Sequence, residues 1–158
     1  MYLTQEAHIV NALPPIDCDG STGFESDWFS LSKYQHASVI LTTGANGGAG
    51  IPITVQQATS SAGASAAAIA FAYGSEESAS GDTLSTLTNA TATGFTTHAS
   101  AANLTYVLEV DGSDLDDGYD WVRVVGADPG ASAVCMASVA AVLTGARYQG
   151  DVTGTAIT

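Results

Sequence analysis

The sequence predicts an all-β fold: a β-sandwich of jelly-roll-like form with an extended N-terminal arm. Three observations predict it. Several separate segments alternate apolar and polar residues with a period of two, as strands with one buried face require. Clusters of glycine, proline and aspartate break these segments at roughly eight- to twelve-residue spacing, the rhythm of sandwiches and jelly rolls. The chain has 158 residues, 46% of them hydrophobic and many of those Ala or Val. That is enough for one domain with its own core, and it is not a disordered composition.

Residues 1–15 read as the arm. His8-Ile9-Val10 has the makings of a short strand, but Pro14-Pro15 is expected to stop pairing there. Such a segment either packs along its own sheet or reaches a neighbouring molecule. If it reaches out, deleting residues 1–13 leaves the rest folded. Its apolar residues Tyr2, Leu3, Ile9, Val10 and Leu13 are the candidate contacts to a capsid or to another subunit.

Residues 16–150 are assigned to the sandwich and 151–158 to a loosely held tail. Residues 27–31 form a short strand, with Lys33-Tyr34 as its turn. Residues 36–43 form a clearer one, with Ala37, Val39 and Leu41 on one face and Ser38, Ile40 and Thr42 on the other. The glycine-rich stretch 44–50 reads as a hairpin loop. It is no phosphate loop, because no Lys-Ser or Lys-Thr follows it. Residues 51–57 alternate again, pointing Ile51, Ile53 and Val55 inward, and Pro52 marks an edge or a strand start.

Residues 68–73 alternate small with large, so Ile69, Phe71 and Tyr73 share a face. Their period of two favours strand despite the helix propensity of alanine. Residues 83–88 are expected to be another strand. Residues 89–102 are low in complexity, with Phe95 the only large anchor. The centre of the domain is 104–143, read as strand 104–110, acidic turn, strand 120–126, break at Asp128-Pro129-Gly130, and strand 133–143. Ser113 or Asp114 is placed to cap one helical turn before Gly118 resets the chain. The last strand is apolar on both faces, which suits an inner position.

Charge narrows the function. Sixteen acidic residues face only Lys33, Arg123 and Arg147, for a formal charge of −13. Such a surface repels phosphate backbones and anionic lipids, so neither nucleic acid nor membrane is an expected partner. The N-terminal residues lack the basic and apolar regions of a signal peptide, and no apolar run is long enough to span a bilayer. Synthesis in the cytoplasm is the expectation. Cys18 and Cys135 are far apart in sequence. A buried free thiol is the commoner state for a cysteine in an apolar strand, and whether the two pair stays open.

No catalytic or cofactor motif is present. There is no Gly-x-Ser-x-Gly and no cysteine–histidine context of a thiol hydrolase. His8, His36 and His98 stand singly, without ligand spacing. In the acidic turn 111–120, Leu115 occupies a position where a calcium loop needs an oxygen ligand. An irregular cation site among Asp114, Asp116 and Asp117 is weighed against an ordinary solvated turn and stays open. Trp28 and Trp121 fit a core or an interface better than a sugar platform. The chain is therefore expected not to be an enzyme, and to need no cofactor or metal.

Three runs carry a resemblance: Tyr2-Leu3-Thr4-Gln5-Glu6-Ala7-His8-Ile9-Val10, Trp28-Phe29-Ser30-Leu31-Ser32-Lys33-Tyr34, and Ser138-Val139-Ala140-Ala141-Val142-Leu143-Thr144-Gly145-Ala146-Arg147-Tyr148. With the order of features between them, the chain resembles the head decoration, or cement, proteins of tailed bacteriophages. The resemblance touches most of the chain, as a pattern and not as a sharp motif. It implies a β-sandwich, often trimeric, bound to the major capsid protein on the outside of the virion shell and stabilising it, with no catalytic residues. The competing readings are a β-sandwich adhesion module for glycans, with or without calcium, and another virion part such as a tail or neck protein.

Overall fold

The computed structural model describes residues 2–18, 22–44, 48–76, 82–99, 103–130, 135–147 and 156–157. Among them the chain forms one helical turn, α1 (Leu3–Glu6), and then strands β1 (His8–Asp17), β2 (Phe24–Glu25), β3 (Phe29–Ser30), β4 (His36–Thr43), β5 (Pro52–Ala58), β6 (Ala67–Ile69), β7 (Phe71–Ser75), β8 (Thr88–Ala90) and β9 (Phe95–Thr96). After these come β10 (Leu104–Asp111), a 3₁₀ turn (Gly112–Asp114), β11 (Trp121–Gly126) and β12 (Met136–Thr144). The protein is all-β.

Two antiparallel sheets make the sandwich. The first runs β1-β12-β4-β10-β7-β8 and the second β2-β11-β5-β6, with β3 on β11 and β9 on β5. The alternation read from the sequence becomes the burial pattern. In β4 the inward residues are Ala37, Val39, Leu41 and Thr43; in β10 they are Leu104, Tyr106, Leu108 and Val110. They share one core with Ile53, Val55, Val122 and Val124 of the second sheet. Each fully buried aliphatic side chain of this kind stabilises the fold by about 1.5–3 kcal/mol before entropy is set against it. An aromatic cluster closes one region of the core. Phe95, the expected anchor of its segment, stacks on Tyr73 at 4.0 Å and lies 5.5 Å from Tyr106.

The structure corrects the reading of the arm. His8–Asp17 is a strand of the first sheet, paired with β12 from His8↔Leu143 to Asp17↔Met136. The two prolines do not stop pairing, for a physical reason. Register shifts between Asn11 and Leu13 and between Leu13 and Ile16 each leave one extra residue in β1, so Pro14 and Pro15 lie in a bulge. β1 is also a sheet edge, where an absent N–H leaves no ladder unfilled. Val10, Ala12 and Leu13 are buried in the core. Deleting residues 1–13 would therefore remove core, contrary to the expectation from sequence.

Other local readings shift too. The 44–50 connection is not a hairpin loop, because β4 and β5 lie in different sheets; residues 45–47 are outside the described set. The segment 68–73 splits at Ala70. Its first half, β6, pairs with β5 in the second sheet, and its second half, β7, pairs with β10 in the first. The expected strand 83–88 reduces to a single bridge between Leu84 and Glu76, and pairing resumes at Thr88. Gly126 ends β11 where any side chain would collide with the Phe24 ring, so glycine is required there. Of the tail, Ala156 is buried and its carbonyl accepts a hydrogen bond from the Ser30 N–H at 3.0 Å.

Cys18 and Cys135 are joined by a disulfide across a sequence separation of 117. Both are buried, just past the end of β1 and just ahead of β12. The sequence left this pairing open, because only the β1–β12 register brings the two together. A crosslink over so long a loop restricts the unfolded chain strongly. Replacing both cysteines by serine is expected to cost about 2–5 kcal/mol of stability, read from urea denaturation under non-reducing conditions. The same loss should follow reduction of the wild type in urea.

Candidate functional site

The outward face of the first sheet carries a polar cluster built on β4 and β10. His36 opens β4 and pairs in register with Asp111 at the end of β10; Ser38 pairs with Glu109. Because side chains alternate along a strand, all four project from the same face. His36 Nδ1 lies 2.9 Å from Asp111 Oδ1, and Nε2 lies 2.7 Å from Glu109 Oε2. The Ser38 hydroxyl donates to the same Glu109 oxygen at 2.7 Å and sits 3.3 Å from Nε2.

These atoms include a hydroxyl, an imidazole and a carboxylate in the order of a hydrolase relay. Glu109 changes their chemistry. With a carboxylate against each ring nitrogen, only the charged ring, an imidazolium without a lone pair, donates to both. It cannot accept the Ser38 proton, and that proton already points at Glu109. The pKa follows the same logic. Burial pulls the His36 pKa down, but hydrogen bonds to Asp111 and Glu109 and their negative charges outweigh it, and the net shift is upward from 6.5.

Beside the cluster lies an open groove of about 870 Å³, floored by Ala70, Ala72 and Ala90 and rimmed by Leu87, Asn89 and the carboxylates of Glu109, Asp111 and Asp114. Ala70 and Ala72, small residues already visible in the sequence, line it. The sequence reading did not single out His36, Ser38, Glu109 or Asp111 as a set. The available signal was the Glu109-x-Asp111 spacing on a strand; the partner strand, more than 70 residues away, was not legible.

The acidic turn is occupied by its own protein. Asp114 Oδ2 accepts the Asp111 N–H at 3.1 Å, helping to hold the 3₁₀ turn. Gln57, buried in β5, grips Asp116 twice. Its carbonyl accepts the Asp116 N–H at 2.8 Å, and its amide donates to the Asp116 carboxylate. Gly118 takes a left-handed backbone at φ 84°, the expected reset. Among the described residues, no three His, Cys, Asp or Glu side chains are arranged to hold a metal ion.

On the second sheet Arg123 lies over Trp28, 4.6 Å from the ring centroid, and donates from Nε to Gln56 at 2.9 Å and from Nη1 to Glu25 at 2.5 Å. One face of Trp28 is thus covered by a cation.

No family model, curated protein or solved structure matches the chain.

The five N-terminal contact candidates divide. Tyr2 is 71% exposed, Leu3 54% and Ile9 49%, whereas Val10 and Leu13 are buried. The strand explains the split, since Ile9 and Val10 point to opposite faces of β1. Val10 and Leu13 are core residues of this chain, and only the other three remain open to a partner.

The Gln57–Asp116 tie makes a direct prediction. Gln57→Ala strips two hydrogen bonds and leaves a backbone N–H without its partner. Its expected cost is about 1–3 kcal/mol in urea denaturation. Hydrogen exchange should speed up across the 112–119 turn and leave β4 and β10 protected.

Proposed function

We propose that this chain is a structural protein of a phage particle: a capsid decoration protein that binds the outside of the major capsid shell, stabilises it, and works as a homotrimer. The observation that carries the reading is the exposure of Tyr2, Leu3 and Ile9 on the N-terminal segment of an otherwise strongly acidic domain. Large apolar side chains left outside a completed core supply what a protein partner buries. At −13, the chain is repelled by nucleic acid, which leaves protein as the partner class that fits.

Two further features support the reading. The disulfide suits a protein that works outside reducing cytoplasm, virion surfaces included. Binding many copies to a finished shell stabilises it by mass action, because the ligand favours the assembled state over dissociated subunits. A trimer repeats one contact around a closed axis, matching the local symmetry of a shell. High negative charge keeps the unbound pool soluble.

The test uses the intact chain and capsids, stripped of accessory proteins, from the phage that carries the gene. Wild-type protein should co-sediment with them at a symmetry-set, saturable ratio. The Leu3→Asp, Ile9→Asp double variant should keep the wild-type melting temperature, since both side chains are exposed, and bind at least about tenfold more weakly, equivalent to ~1.4 kcal/mol. Equal binding by the variant would remove the N-terminal contact from the proposal. Failure of the wild type to bind would reject decoration, and a monomer both free and on the particle would reject the trimer.

A further inference from the structure

We propose that His36 is a proton-dependent clasp on the outer face of the first sheet, tying Glu109 and Asp111 together when charged and releasing one of them when neutral. The clasp sets the position of the acidic turn that leaves β10. It does not depend on which partner the protein binds.

Two carboxylates stand at opposite nitrogens of one ring, at 2.9 and 2.7 Å. Only the imidazolium has two N–H groups, so only the charged ring satisfies both. A neutral ring keeps one donor and turns a lone pair toward the other carboxylate, which is repulsive at that distance.

The surroundings make the loss consequential. The titratable and charged groups around the ring are Glu109 and Asp111 on β10, Asp114 in the 3₁₀ turn and, on the far side of Asp111, Arg147 beyond β12. Among the described residues, the other side chains lining this groove are alanines, Phe71, Leu87, Asn89 and Thr91, none of which is titratable, with Ser38 beside them on β4. Without the imidazolium, three carboxylates share this corner in a chain of net charge −13, with Arg147 lining the adjoining pocket beside Asp111.

The position of Asp111 determines what moves. It is the last residue of β10, and its N–H is held by Asp114 in the turn that follows. The turn is thus fastened at its start through Asp111 to His36 and further along through Asp116 to Gln57. Where the remaining N–H of the neutral ring stays with Glu109, which Ser38 also holds, deprotonation frees the first fastening and leaves the second. Backbone pairing of β4 with β10 runs over eight residue pairs and does not need the clasp.

The direction with pH follows from the raised pKa of His36. A group held protonated in the folded state contributes stability that is fully present below its unfolded value, about 6.5, and lost as pH rises through the higher folded value. Acidification tightens the turn and alkaline pH loosens it.

The test compares wild type with His36→Gln between pH 5.5 and 9. Histidine NMR titration of the wild type should place the His36 pKa above 6.5, assigned by the signal missing in the variant. The wild type should melt roughly 2–4 °C above the variant at pH 5.5, and the difference should vanish by pH 9. Protection factors at residues 112–115 should fall with rising pH in the wild type only. A His36 pKa at or below 6.5, or melting curves that stay parallel, would overturn the clasp. If His36→Gln does not fold, the wild-type titration and Glu109→Gln, which should lower the His36 pKa, decide the question in its place.

Discussion

β4 is the strand on which the rest of the structure depends. It pairs along its full length with β12 on one side and β10 on the other, residue for residue from His36 to Thr43 on both. A central strand buried in this way fixes register twice, because a slip of one residue would turn Val39 and Leu41 to solvent on a face that must be buried. β1 and β7 then attach to strands that β4 has already placed. The core side of the first sheet is a consequence of that register, and so is the polar cluster on its outer side.

The connections explain how so small a chain builds two layers. From β4 to β5, from β10 to β11 and from β11 to β12 the chain crosses between the sheets. Among the described residues, no pair of long strands adjacent in sequence forms a hairpin. Long-range pairing of this kind makes folding costly in loop entropy, and the Cys18–Cys135 crosslink offsets part of that cost by tying the first strand to the last. The disulfide and the β1 bulge act together: the bulge lets a proline-bearing edge strand follow β12, and the crosslink holds its far end. What remains outside is a short apolar segment at the N-terminus and a face of carboxylates gathered around one histidine.

Much of the local structure was legible. β4 has the bounds its alternation implied, β10 and β11 differ from expectation by one residue at one end, and β5 is shifted by one residue at both ends. Ile53, Val55, Val39 and Leu41 are buried as their spacing required. The two-sided apolar pattern of β12 correctly marked an inner strand. The readings that failed were those in which a local rule met a tertiary exception. Proline stops an interior strand, yet β1 lies on an edge and carries a bulge. A glycine-rich stretch between two strands suggests a hairpin, yet these two strands belong to different sheets. Of the site residues, exposure separated Tyr2, Leu3 and Ile9 from Val10 and Leu13, a division the apolar character of all five could not reveal.

The sequence by itself determined the all-β class, the faces of the main strands and the negative charge, because period-two burial and net charge are properties of neighbouring residues and of sums. Only the tertiary structure decided which strands adjoin, that β6 and β7 part at Ala70, that Cys18 meets Cys135, and that His36 stands between Glu109 and Asp111. Each of these joins residues distant along the chain. Backbone hydrogen bonding pairs any two strands with nearly equal ease, so alternation along one strand carries no label for its partner. That choice is made by the packing of the whole core and the closure of all its loops at once.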